Sequence, residues 1–132
     1  MKLSRKADYA LRAVRFCCRL PKDTVGTIDQ IAESENIPRE FLAKILKDLT
    51  STGILVSHRG VYGGYAMAKK PRETTFLEVI EAADGPIHLN LCTTPDRCCD
   101  SQYRTCTMRN FWEVYEVKFK KTLAREHFGK YS

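Results

Sequence analysis

The chain has 132 residues, 43% hydrophobic and 29% charged, with a formal net charge of +6. That length is one domain with room for one protruding helix, and the balance excludes a disordered or low-complexity chain. No apolar run reaches the roughly 18–20 residues that span a bilayer, and no signal-type stretch follows the basic opening, so a cytoplasmic location without membrane attachment is expected.

Charge is unevenly spread. Residues 1–72 carry 14 Lys/Arg against 7 Asp/Glu, whereas residues 73–132 carry 8 against 9. The positive excess lies in the first half, where a polyanion would be met. The six cysteines also divide: Cys17 and Cys18 stand together, and Cys92, Cys98, Cys99 and Cys106 crowd into one later stretch. Without a secretory context that later cluster points to metal or redox chemistry rather than to a disulfide framework.

Ser4 is a good N-cap, and a first helix should run from it to about Leu20, stopped by Pro21. Ala7, Tyr9, Ala10, Ala13, Val14, Cys17, Cys18 and Leu20 give it a wide apolar face on which the two cysteines act as small hydrophobes. Thr27-Ile28-Asp29-Gln30 is a capping box opening a short second helix that ends near Ser34. Asn36 and Ile37 form a tight turn, Pro38 opens a third helix, and Gly53 closes it beyond Thr52 in a left-handed cap. Its inner stripe is Phe41, Leu42, Ile45, Leu46 and Leu49; Arg39, Glu40, Ala43, Lys44 and Lys47 point outward.

A hairpin follows, with strands at Ile54-Leu55-Val56 and from Tyr65 to Ala68 around a turn from Gly60 to Gly64, and Pro71 ends it. Thr75-Phe76-Leu77-Glu78 is a second capping box, opening a helix to about Ala83 that Asp84-Gly85-Pro86 closes. After the cysteine stretch, a final helix should run from about Thr107 to Phe128. Met108, Phe111/Trp112, Tyr115, Phe119 and Thr122/Leu123 recur at steps of three and four, a narrow aromatic stripe suited to a second copy of the chain. The fold class expected is mainly α with a small β-hairpin: a DNA-binding unit over 1–86, a cysteine loop over 87–106, and a dimerisation helix and tail over 107–132.

Helix, short helix, turn, helix and two-stranded hairpin is the order of a winged helix-turn-helix, whose third helix enters the major groove of double-stranded DNA. Pro38 and Arg39 stand at that helix's N-terminus, where free N–H groups favour phosphate. Arg39, Lys44 and Lys47 can meet backbone or base edges, and Glu40 can accept from a cytosine amino group. In the turn, Gly60, Gly63 and Gly64 permit close approach, Tyr65 follows them, and Arg59 at the tip suits a narrow minor groove.

The second constellation is Cys92-x5-Cys98-Cys99-x6-Cys106. Several thiolates in one loop suit zinc or an iron–sulfur cluster, and the lack of a CxxC pair favours the cluster. Adjacent cysteines point apart in extended backbone, so one of Cys98 and Cys99 ligates without its neighbour. Cys106 falls at the expected start of the last helix, whose dipole stabilises a thiolate. His88, Asp8, Asp96 and Asp100 are open choices for a fourth ligand. No nucleophile–base set and no phosphate-binding loop occurs, so neither an enzyme nor a small-molecule substrate is expected.

The opening Met1-Lys2-Leu3-Ser4-Arg5-Lys6-Ala7-Asp8-Tyr9-Ala10-Leu11 resembles that of the bacterial winged-helix regulators that include IscR, NsrR, RirA and CymR. So do Ile37-Pro38 through Gly53-Ile54-Leu55, Arg59-Gly60 with Gly63-Gly64-Tyr65, Asp84-Gly85-Pro86, and Cys106-Thr107-Met108-Arg109 with Trp112. The resemblance implies a homodimeric regulator, a repressor, with crossing C-terminal helices and the stripe residues Trp112, Tyr115 and Phe119 between subunits. It implies an iron–sulfur cluster on Cys92, Cys98 and Cys106 that senses cluster supply, nitric oxide, iron or redox state. Two departures stand out. The longer gap before Cys106 lets Cys99 compete with Cys98, and Arg109 replaces the histidine that IscR-type members carry. Asp8 matches the aspartate that NsrR-type members take from the other subunit's first helix, which favours a 4Fe–4S over a 2Fe–2S cluster. Two alternatives remain: a winged-helix regulator using the cysteines as a thiol switch or zinc site, and a basic module that binds an acidic protein.

Overall fold

Three hydroxyls set where helices begin in the computed structural model, which describes residues 2–94 and 106–132. Ser4 accepts from the Ala7 N–H at 2.9 Å and starts α1 (Arg5–Cys18). Thr27 and Gln30 close a reciprocal capping box on α2 (Ile28–Glu35), which ends on left-handed Asn36. Pro38, lacking an N–H to lose, precedes α3 (Arg39–Ser51), and Gly53 at φ +80° turns the chain away. Strands β1 (Leu55–His58) and β2 (Gly64–Met67) pair antiparallel, with Leu55 opposite Met67 and His58 opposite Gly64. Thr75 and Glu78 cap α4 (Phe76–Asp84), and α5 (Arg109–Arg125) is the long terminal helix. Short 3-10 turns occupy Pro71–Glu73, Leu91–Thr93 and Phe128–Lys130.

The core lies where α1, α3 and α4 meet. Ala10 and Ala13 keep the near side of α1 thin, so α4 packs close, and Val79 and Ala83 share one buried cluster with Val14 and Cys17. Leu42, Ile45, Leu46 and Leu49 are the buried stripe of α3. Phe41, expected with them, is 39% exposed and stands edge-on to Tyr9 at 5.5 Å. It flanks the buried row of α3, and the core closes on its neighbours without it. The Ser4 hydroxyl also donates to Asp84 at 2.6 Å, joining the start of α1 to the end of α4.

The last helix is shorter than its periodicity suggests. It ends at Arg125, and Glu126 is extended (φ −85°, ψ 120°). The Phe76 N–H then donates to the Glu126 carbonyl at 2.9 Å, and the Phe128 N–H to the Thr74 carbonyl at 3.1 Å. Phe128 is 1% exposed, 4.8 Å from the Phe76 ring, inside the core. Two backbone bonds and a buried aromatic, worth about 1.5–3 kcal/mol of transfer, outweigh another helical turn.

None of the residues of α5 is buried. Trp112, Glu116, Phe119, Lys120 and Leu123 are half-buried on the side facing the rest of the chain, while Phe111, Val114, Tyr115 and Val117 are exposed. The expected stripe therefore turns toward the chain's own body at Trp112 and Phe119, with Tyr115 at its edge, 43% exposed yet lining the cleft beside Phe119.

Candidate functional site

The outer face of α3 is built by what its inner face buries. With Leu42, Ile45, Leu46 and Leu49 inward, Arg39, Glu40, Lys44 and Lys47 are left exposed on one surface. Arg39 Nε donates to Asp29 at 2.6 Å, so it braces α2 against α3 as well as facing solvent. Lys6 pairs with Asp48 at 2.7 Å, compensating one acid of this helix. Lys44 and Lys47 have no ion-pair partner among the described residues. Their charge is available to a polyanion.

The hairpin stands on the body through Gly26, whose N–H and carbonyl both pair with Tyr65, at 2.9 and 2.8 Å. A Cβ at position 64 would lie 2.6 Å from the Gly26 carbonyl oxygen, and one at 63 would lie 2.3 Å from that of His58. These two glycines make the hairpin itself, and Gly60 at φ +113° turns its tip. Tyr65 packs against the core beside them. Arg59 is exposed at the tip with Val61 and Tyr62, 95% and 93% exposed, which the sequence reading left out. Two large apolar side chains in a glycine turn with no hydrophobic periodicity were the available signal.

Cys92 sits half-buried in the Leu91–Thr93 turn, and Cys106 is exposed three residues ahead of α5 rather than at its first turn. Both thiols are free. Cys98, Cys99, Asp96 and Asp100 lie outside the described residues. Cys17 and Cys18 belong to the interior of α1: burial pushes both thiols up to about 12, and Cys18 lies 3.7 Å from the Met67 sulfur. Among the described cysteines, Cys106 is the exposed one, and Cys92 and Cys106 stand at the two ends of the 92–106 segment. A donor set of that kind, soft sulfur at both ends and two more cysteines between, fits an iron–sulfur cluster or zinc. Among the described residues no three such ligands come together.

Asp8 is exposed on the first turn of α1 and pairs with Arg12 at 3.0 Å. The two line an open concavity of about 710 Å³ with Lys2, Leu3, Arg5 and Tyr9. Arg12 also lies over the Tyr9 ring and donates to the Glu35 carbonyl at 2.8 Å. His88 lies along a cleft of about 560 Å³ between residues 2–4, the end of α4, and Tyr115 and Phe119 of α5. Its Nδ1 is buried without a hydrogen bond, 3.5 Å from a Glu116 oxygen.

Glu116 is the residue sequence reading missed. Its Oε1 accepts the Leu89 N–H at 2.9 Å. Desolvation pushes this carboxyl up, but Thr93, Leu89, Lys120 and His88 together hold it below its ordinary value. An acid on the inner aromatic stripe, one turn after Trp112 and one before Phe119, was the available sign.

Helices α1 to α4 with the glycine-built hairpin form a winged helix-turn-helix, and the proteins this chain is related to are transcription regulators rather than enzymes. The chain belongs to the Rrf2 family: the family described as "Iron-dependent Transcriptional regulator" matches residues 3–130. An Aquifex aeolicus protein named as an HTH-type transcriptional regulator is 31% identical over 114 residues, 86% of this chain and 78% of its own length. The regulator NsrR of Halalkalibacterium halodurans is 29% identical over 92 residues, 70% of this chain and 63% of that protein. Among solved structures, CymR, the global cysteine regulator of B. subtilis, superposes with TM-score 0.76 at 22% identity, covering 97% of this chain and 93% of that one. T. potens IscR gives 0.74 at 20% identity, covering 97% and 83%. The last two likenesses establish the fold. No helix among the described residues is long and apolar enough to cross a membrane.

Proposed function

We propose that the chain is a homodimeric, sequence-specific repressor whose operator affinity is set by an iron–sulfur cluster on Cys92, Cys98 and Cys106. Residues 1–86 grip double-stranded DNA, 87–106 hold the cluster, and 107–132 join the subunits. The observation that carries this reading is the position of Cys92 and Cys106. They bracket a segment running from the DNA-binding unit to α5, whose apolar outer side has no partner among the described residues. The bound cluster supplies a centre whose integrity depends on redox state, nitric oxide, iron or cluster supply. The protein's residues do the rest. Lys44, Lys47 and Arg39 hold phosphates, Glu40 reads a base edge, and Arg59 on its Gly60–Gly64 wing enters the minor groove.

Asp8 of the other subunit is the fourth ligand, which favours a 4Fe–4S cluster, and it gives up Arg12 to serve. His88 is the weaker choice because its Nδ1 already faces Glu116. The test is anaerobic purification followed by absorbance and Mössbauer spectra. Cys92→Ala and Cys106→Ala should each abolish the chromophore, and only one of Cys98→Ala and Cys99→Ala should do so, expected to be Cys98→Ala. A colourless protein that still binds its operator would instead mean a thiol switch or zinc. Loss of salt-dependent duplex binding would mean a module for an acidic protein. Operator affinity should shift about tenfold or more between holo and apo dimers, roughly 1.4 kcal/mol of coupling. Equal affinities at matched salt would end the sensor reading.

A further inference from the structure

We propose that Glu116 is a positioning residue for Cys92: from the middle of α5 it holds the Leu89–Thr93 turn, fixing where the thiol is presented. The inference rests on the reading of Cys92 as a ligand, but its geometry is independent of any cluster. The chain from Gly85 onward leaves α4 with one earlier tether, the Ile87 N–H on the Glu81 carboxylate at 3.0 Å. Two residues later the Leu89 N–H donates to Glu116 Oε1. The turn containing Cys92 is then closed locally, the Thr93 N–H donating to the Asn90 carbonyl at 3.1 Å. The Thr93 hydroxyl donates to that same carbonyl at 2.8 Å. Cys92 thus stands in a locally closed turn whose start is held by this carboxylate.

The carboxylate is itself held. Its side chain is 12% exposed, and Lys120, one turn further along α5, lies 4.0 Å from Oε2. A backbone N–H bonded to a charged, largely desolvated acceptor makes a stronger tether than a neutral contact. Trp112 and Phe119 flank Glu116 on the inner side of the helix, so the acid is set among packed aromatics rather than on a mobile surface. Through this side chain a displacement of Cys92 is felt in the helix that carries Phe111 and Val114 exposed to solvent.

The experiment measures the thiol and the tether directly in cluster-free, reduced protein. Cys92 and Cys106 are alkylated with iodoacetamide and their rates followed by peptide mass spectrometry, with hydrogen exchange of the Leu89 amide in parallel. Glu116→Leu should speed Cys92 alkylation and Leu89 exchange about tenfold, the equivalent of losing one hydrogen bond to a charged group, with Cys106 unchanged. Glu116→Gln keeps an acceptor oxygen for Leu89 and should restore both rates to within about threefold of the starting protein. Unchanged Cys92 and Leu89 rates in Glu116→Leu overturn the proposal, as does equal acceleration of Cys106, which would mean general loosening. If Glu116→Leu fails to fold, Glu116→Ala decides: faster Cys92 alkylation and Leu89 exchange with Cys106 unchanged support the tether, and unchanged rates overturn it. Failure of the starting protein to take up a cluster would sink the sensor reading while leaving the alkylation result to stand by itself.

Discussion

Helices α3 and α5 have similar lengths and opposite relations to their own chain. In α3 four aliphatic residues are sealed in the core and the polar side is left to solvent. In α5 nothing is sealed, and large apolar residues are more exposed than the charged Glu116 among them. The first helix completes its burial within one chain and offers its surplus charge outward. The second leaves apolar area that water must cover in a lone subunit, so its natural complement is another apolar surface. One fold thus holds a finished half, which presents chemistry, and an unfinished half, whose apolar area the proposed second copy would cover.

The contrast can be broken most strongly where the two halves are joined. Phe128→Ala empties a core slot and should cost about 3–5 kcal/mol, read as a lower melting temperature. Stability within 1 kcal/mol of the parent, on the order of a surface change, would mean that the C-terminal turn merely lies on the body. Phe111→Glu tests the unfinished side: charge in the contact should weaken the dimer by about 2–4 kcal/mol, seen as monomer by sedimentation with the fold intact. Phe119→Glu is a poorer probe, because Phe119 lines the chain's own cleft beside Ile80 and Ile87. On the finished side, Arg59→Ala should weaken operator binding by about 1–3 kcal/mol without altering the melt. Operator affinity equal to the parent's would remove the wing tip from the interface. The smallest effect belongs to Ser4→Ala, which loses the α1 cap and the bond to Asp84 and should cost about 0.5–2 kcal/mol in thermal unfolding.

What could be read from the sequence was local. Ser4 and the capping boxes at Thr27 and Thr75 involve residues three apart, and each forms as read. Gly53 likewise needs only its own positive φ. The misreadings all depended on a distant neighbour. Nothing near Phe128 announces that Thr74 and Phe76 will draw it out of the helix, and the apolar spacing of α5 pointed the other way. Phe41 lies beside the buried stripe, and only the packing of α1 decides that it stays outside. Half of the α5 stripe faces inward because α4 and the residue 88–93 turn occupy that side. In the candidate site, the outward residues of α3 were legible because a helix has one inner face. The Glu116 tether was not, since its partners come from a loop far away in sequence.

Phe128 also carries a kinetic consequence. Among the described residues every other buried side chain lies within residues 7–83, so most of the core can assemble from neighbouring helices while the slot beside Phe76 is still open. Filling it means closing the chain over α5 and the cysteine segment, a non-local step whose entropy must be met late. Contacts made after the folding barrier govern how fast a protein comes apart rather than how fast it forms. Phe128 therefore acts as a latch on lifetime: losing it should leave the refolding arm of a chevron nearly in place and steepen the loss of the native state through unfolding. The chain thus gains persistence from a residue that lies outside both the outer face of α3 and the hairpin tip.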